Sequence, residues 1–356
     1  MRGEAGIAGA SMDTRITDLF GIERPVIQAP MAGANGPEMV IAVSEAGGLG
    51  SLPAALYSPR QLVDALDTVR AATRRPINVN FFAYTAAPDD AAKQNAWHER
   101  LSPYYAELGL APDANAATNR RASFDADFCA IVEQFRPEVA SFHFGLPDPS
   151  LVARVKRAGA KLIASATTVA EALWLEARGV DAVIAMGVEA GGHRGNFLTH
   201  DMAEQTGTFS LVPAIVDAVR VPVIAAGGIV DRRGVVAALA LGASAVQVGT
   251  AYLFTPEARI HAVYRSALDA RDRPTALTNL FSGRPARGIV NRLMRDLGAM
   301  SDLPPPFPTA ADALGPLRRA AEAAGRDDFS PLWAGESFPL AQPMPAAALT
   351  RLLAGE

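Results

Sequence analysis

Eight short apolar runs, each followed by an alanine-rich stretch of helical period, punctuate this sequence. They fall at residues 25–28, 48–52, 77–81, 139–142, 161–165, 182–186, 222–226 and 245–248. Mostly apolar runs of this length read as strands covered on both faces, and intervening helices make them parallel. Eight βα units predict a closed (β/α)₈ (TIM) barrel, with an open doubly wound sheet as the rival arrangement. A weak repeat supports the unit: Ala158-Gly159-Ala160-Lys161, Arg178-Gly179-Val180-Asp181 and Leu241-Gly242-Ala243-Ser244 each join a helix to the next apolar run. Glycine is wanted there because the residue after a last helical turn often takes positive φ.

The 356 residues exceed a minimal barrel, and two stretches absorb the surplus. Residues 85–123, after the third strand, are polar and predict an inserted helical excursion. From about Ala299 the pattern changes again, through Pro304-Pro305-Pro306-Phe307-Pro308, a helix over 310–324 and a last helix over 346–353. The expected organisation is a barrel over 12–300 and an extension over 301–356, too short for its own core and therefore packed back as one unit. Order is expected to begin at Met12, because residues 1–11 lack both periodicity and the apolar stretch of a signal peptide.

A formal net charge of −4 lacks the basic excess that a nucleic-acid surface needs. No run approaches the apolar length of a membrane helix. The single Cys129 can form no internal disulfide, and no Cys/His cluster suggests a metal. A cytoplasmic protein without nucleic-acid, membrane or metal partners is expected. Oligomerisation stays open.

A barrel carries its chemistry at the carboxyl ends of its strands. After the seventh strand comes Ala226-Gly227-Gly228-Ile229-Val230-Asp231, and after the eighth Gln247-Val248-Gly249-Thr250-Ala251. Glycines let backbone N–H groups approach an anion, a following helix start adds a favourable dipole, and these two loops are the habitual phosphate site of the fold. Tight βα turns alone would look similar. After the sixth strand, Met186-Gly187-Val188-Glu189-Ala190-Gly191-Gly192-His193-Arg194-Gly195 places His193 among glycines. Flexible backbone there would let an imidazole face a ligand near neutral pH, although a surface histidine bonded to a nearby carbonyl is the plainer alternative. Glu189 reads as a solvated acid, and Arg194 as an anion-attracting group or a surface ion pair. Ala29, Pro30 and Met31, after the first strand, make a low backbone surface on which a planar ring could lie. Asn80 could donate to and accept from a ring edge, or cap a loop. His143, ending the fourth strand, is either ligand-facing or a satisfied core group.

Together, Ala29-Pro30-Met31-Ala32, the Glu189–Gly195 loop, the Ala226–Ile229 and Gln247–Thr250 pair, Phe281-Ser282-Gly283-Arg284-Pro285-Ala286-Arg287-Gly288 and the tail segment Pro331-Leu332-Trp333-Ala334-Gly335-Glu336 resemble the nitronate monooxygenases, formerly 2-nitropropane dioxygenases. The similarity runs from about Ile16 to Leu353. It implies an FMN enzyme that oxidises alkyl nitronates, and nitroalkanes in some cases, with O₂ to a carbonyl compound and nitrite. His193 would be the base or hydrogen-bond donor beside the substrate. Ala29, Pro30, Met31, Asn80 and Met186 would lie at the flavin ring, with Gly191, Gly192, Gly227, Gly228, Gln247, Val248, Gly249 and Thr250 about the rest of the cofactor. His143 and Phe307 would face the substrate. Met186, Phe307 and Glu336 stand where relatives commonly carry Gln, Tyr and Gln. The resemblance leaves two other readings: an FMN-dependent NAD(P)H enoyl-thioester or quinone reductase, which shares the barrel and the glycine-histidine loop, and a flavin-binding protein without turnover. An IMP-dehydrogenase-like reading is set aside, because Cys129 falls in a predicted helix away from the glycine loops.

Overall fold

The structure is a computed structural model that describes residues 13–88, 90–111 and 123–356. Met12 and residues 89 and 112–122 of the expected insertion lie outside the described residues. In chain order the strands are β1 (Val26–Gln28), β2 (Gly50–Pro53), β3 (Ile77–Phe82), β4 (Val139–His143), β5 (Lys161–Ala166), β6 (Ala182–Met186), β7 (Gly192–His193), β8 (Val223–Ala226), β9 (Ala245–Val248), β10 (Thr275–Thr278) and β11 (Ala286–Ile289).

Eight of these strands pair in parallel in the order β1-β9-β8-β6-β5-β4-β3-β2. The two ends of that order then meet: Leu49 N–H donates to the Val26 carbonyl at 2.9 Å, and Gln28 N–H to the Leu49 carbonyl at 3.0 Å. Closure removes both free edges, so the open doubly wound sheet is excluded. The three repeat glycines, Gly159, Gly179 and Gly242, have φ of 94°, 76° and 96°. Each ends its helix in the conformation that only glycine adopts without strain.

Period-two alternation decides what fills the cylinder. At the amino end, Ile27, Val139, Ile163, Ile184 and Ile224 point inward and bury Ile16 and Phe20 of the helix Arg15–Phe20, which plugs the bottom. That helix is tied down where Asp13 accepts from Ser244 just before β9. Towards the carboxyl end the inward groups become polar. The Gln28 side chain accepts from Ser51 N–H at 2.9 Å, Asn78 donates to the Ser51 hydroxyl at 3.0 Å, and Asn80 to the Ser141 hydroxyl at 2.9 Å. An apolar plug at one end and a hydrogen-bonded polar layer at the other leave only the carboxyl rim able to receive a polar ligand.

The expected helical excursion contains the helix Ala91–Glu107, capped by the Asp90 side chain on Lys93 N–H at 2.9 Å. Its partner is the tail helix Ala310–Ala323. Trp97 Nε1 donates to the Ala310 carbonyl at 3.1 Å and the Tyr105 hydroxyl to the Ala313 carbonyl at 2.6 Å, within a cluster that adds Leu101, Leu314, Leu317 and Phe329. Fully burying such side chains stabilises by about 1.5–3 kcal/mol each. This part of the tail therefore packs on the insertion, while the last helix, Ala346–Ala354, lies against Pro37–Glu45 and Arg232–Ala240 of the barrel. Among the described residues, no helix is long and apolar enough to cross a membrane.

Candidate active site

A cavity of about 450 Å³ opens at the carboxyl rim. Its wall includes Ala29, Pro30, Met31, Asn80, His143, Met186, Gly191, Gly192, His193, Gly227, Gly228, Gln247, Gly249 and Thr250. Two expected site residues are placed otherwise. Val248 points outward on β9 into the helix-facing core, and its carbonyl accepts from Ala29 N–H at 2.8 Å, so its side chain has no access to a ligand. Phe307 stands behind the wall, its ring 5.6 Å from that of His193.

The glycine-histidine segment is not a flexible loop. Gly192 and His193 form β7, paired antiparallel with β11 (Ala286 opposite His193, Arg287 opposite Gly192), and β11 continues to β10. This small sheet places His193 in the cavity wall. His193 Nε2 is 2.8 Å from the Ser282 hydroxyl. Around the ring stand Trp333 at 5.4 Å, Phe307 at 5.6 Å, Phe144 at 6.2 Å and Phe82 at 6.4 Å. Four aromatic rings leave little room for bulk water beside the imidazole.

Arg194 is neither a surface ion pair nor an anion ligand. It is fully buried and donates to the carbonyls of Met186 at 2.7 Å and Gly187 at 2.6 Å, and to the Gln205 side chain at 3.0 and 2.8 Å. These bonds tie the end of β6 to the end of β7, so the loop that carries His193 is clamped at both ends. Burial lowers the Arg194 pKa to about 10, still well above neutrality. Glu189 likewise is no solvated acid: it accepts from Thr208 N–H at 2.9 Å and from the Thr208 hydroxyl at 2.8 Å, capping the helix Thr208–Ala218. Arg287 Nε donates to the Val188 carbonyl at 2.8 Å and pairs with Glu336 at 2.9 Å, which joins the sheet, the loop and the tail. His143 Nε2 lies 3.1 Å from the His193 carbonyl oxygen, and its Nδ1 lies 3.1 Å from the Ser165 hydroxyl.

The two glycine loops face the same cavity. Gly227 and Gly228 have φ of 113° and 70°, and a Cβ on Gly227 would meet the Thr208 hydroxyl at 2.9 Å. The helix Arg232–Ala240 that follows is capped by its own Asp231, whose side chain takes the Arg233 and Gly234 N–H groups. Gln247 Oε1 is buried with no hydrogen-bond partner, an acceptor that calls for a donor from whatever fills the cavity. The β1 and β9 loops approach closely, with Ala29 Cβ and Met31 Sδ at 3.4 and 3.9 Å from where a Gly249 Cβ would stand. Among the described residues, no cluster of three or more His, Cys, Asp or Glu could hold a metal ion.

Ser282 and Trp333 carry no role in the sequence reading, although both lie in segments that it marks as familial. What separates them from their neighbours is a long-range approach to His193, which one sequence does not display.

A family model for nitronate monooxygenase matches residues 13–355. The chain belongs to the nitronate monooxygenase family. It is 43% identical to a nitronate monooxygenase of Pseudomonas aeruginosa over 349 residues, 97% of this chain and 99% of that protein. Among solved structures it resembles a nitroalkane oxidase from Streptomyces ansochromogenes, with TM-score 0.84, 38% identity and coverage of 96% of this chain and 97% of that one. It also resembles FabK from Thermotoga maritima, with TM-score 0.72, 30% identity and coverage of 95% and 94%. Membership in the nitronate monooxygenase family makes the chain an oxidoreductase of a flavin-dependent group.

Proposed function

We propose that this protein uses FMN to oxidise alkyl nitronates with O₂, giving a carbonyl compound and nitrite. The observation that carries the reading is that His193 and both glycine loops line one cavity at the carboxyl rim. The residues present fit a flavin. The volume is in the range of small-molecule sites, Gln247 Oε1 offers a lone acceptor to a ring N–H, and Gly227 and Gly228 present backbone without Cβ atoms. Ala29, Pro30, Met31, Asn80, Met186 and Gln247 would hold the ring, and Gly191, Gly192, Gly227, Gly228, Gly249 and Thr250 the ribityl phosphate. Bound flavin supplies electron acceptance from the substrate carbon and electron delivery to O₂.

The chain's part is alignment and charge. A nitronate arrives already deprotonated at carbon, so it needs a donor to its nitro oxygens, and the His193 imidazole stands beside the cavity to provide one. A neutral nitroalkane would need the same ring as a base. The Ser282 hydroxyl at Nε2 fixes the ring's orientation, and the surrounding aromatic rings lower the local dielectric, which strengthens that hydrogen bond.

Anaerobic mixing of the FMN-loaded protein with an alkyl nitronate is expected to bleach the flavin, and admission of air to yield nitrite. Bleaching by NADPH but not by a nitronate would assign the protein to the reductase reading instead. Bound flavin that responds to neither would leave a binding protein.

A further inference from the structure

His143 ends β4 with its ring in the cavity wall, where a substrate ligand would be expected, yet both of its nitrogens are engaged by protein. The His193 carbonyl oxygen 3.1 Å from Nε2 can only accept, so Nε2 must carry the proton. Nδ1 is then the acceptor and takes the Ser165 hydroxyl proton at 3.1 Å. One neutral tautomer satisfies the whole arrangement.

We propose that His143 is a positioning residue: its Nε2–H grips the main-chain carbonyl of His193 and so sets where the reacting imidazole stands. The proposal rests on the role given to His193 above. Three features make this a built contact. The ring is held between Phe144 at 4.5 Å and Phe82 at 5.8 Å. A Cβ on Gly195 would stand 2.9 Å from His143 Cε1 and 3.1 Å from Ser165 Cβ, so only glycine two residues past His193 lets the histidine reach under β7. Finally, burial foremost holds the His143 pKa down to about 3; the His193 carbonyl opposes this by favouring the protonated ring, and repulsion from Arg284 and Arg194 adds to the lowering, so the ring is neutral near neutral pH.

The test uses the full-length, flavin-loaded protein labelled with ¹⁵N at its five histidines. Expected is a His143 imidazole protonated at Nε2 and bare at Nδ1, unchanged from neutral pH to mildly acidic pH. A ring that titrates over that span, or that carries its proton at Nδ1, overturns the proposal. In nitronate turnover, His143→Leu is expected to lower kcat by about ten- to a hundredfold with little change in KM, the cost of a misplaced reacting group. His143→Gln keeps an N–H for the same carbonyl and is expected to restore most of that loss. A rise in KM at unchanged kcat would make His143 a substrate contact and refute the assignment. Should the Leu variant not fold, Ser165→Ala decides: with the Nδ1 partner gone, the His193 carbonyl is expected still to hold the proton on Nε2 while the less anchored ring lowers kcat at little change in KM, and an unchanged kcat or a proton on Nδ1 overturns the assignment. If the wild type proves inactive on nitronates, the proposed function falls, while the imidazole spectra still judge the geometry.

Discussion

Lowering the pH from 7 to 5 should weaken this fold through His143 more than through any carboxylate. Its environment holds the folded-state pKa at about 3, against an ordinary value of 6.5. Between those values the unfolded chain binds a proton that the folded chain refuses, so stability present above the ordinary value is lost as the pH falls towards the depressed one. Over the two units from pH 7 to pH 5 the loss amounts to at most about 2 kcal/mol, an upper bound because one edge of the ring still meets the cavity. His261, also depressed mainly by burial, adds a smaller change of the same sign. Asp13, held at about 2 chiefly by Arg15, contributes only in stronger acid. Melting temperatures of the wild type and of His143→Gln at pH 7, 6 and 5, with the flavin content matched, isolate the contribution. The wild type is expected to lose a few degrees more than the variant across that range. Parallel decline of the two proteins would refute the reasoning.

Replacing His193 by Asn is expected to retain the flavin spectrum and to lower turnover by about 10²- to 10⁴-fold, the usual contribution of a positioned acid or base; unchanged rates with both a nitronate and a nitroalkane would remove it from the chemistry. Arg194→Met removes the bond to the Met186 carbonyl, strands the Gln205 side-chain oxygen and leaves the Gly187 carbonyl only its bond from Ala190 N–H, at about 1–3 kcal/mol for each acceptor left without a partner, and Arg194→Lys should recover only part of the loss because it cannot span three acceptors. A melting temperature unaffected by either change would contradict the clamp. In Gly191→Ala the new Cβ would lie 2.5 Å from Gly335 N and 2.6 Å from the Ala334 carbonyl carbon, both backbone atoms that cannot swing aside. The variant should lose about 1–3 kcal/mol and expose the tail to limited proteolysis, and wild-type resistance would speak against that packing.

Apolar runs bounded by turn residues displayed all eight barrel strands, because burial on both faces forces near-continuous Val, Ile and Ala wherever parallel strands are covered by helices. The cavity-lining glycines were legible for a related reason: backbone that must approach a ligand or turn at positive φ selects glycine whatever lies far away in sequence. The β7–β11 pairing escaped notice since a two-residue strand has no periodicity and its partner lies about ninety residues on. Arg194 reads as a surface group because charge suggests exposure, and its burial is offset only by the acceptors that the fold gathers around it. Glu189 likewise reads as a solvated acid, since Thr208, whose N–H it accepts from, is near in space but not in the motif.

With flavin in the cavity as proposed, the backbone-on-backbone seam between Gly191 and Gly335 is expected to couple its retention to the C-terminal segment. Trp333 and Ser337 wall the same pocket as Gly228, and Gly335 N–H donates to the Thr250 hydroxyl at 3.0 Å. A flavin that prefers the docked arrangement must, by mass action, hold that segment in place, and undocking must in turn loosen the flavin. Protease sensitivity of the segment and dissociation of the yellow cofactor should therefore rise and fall together, two readings of a single local opening.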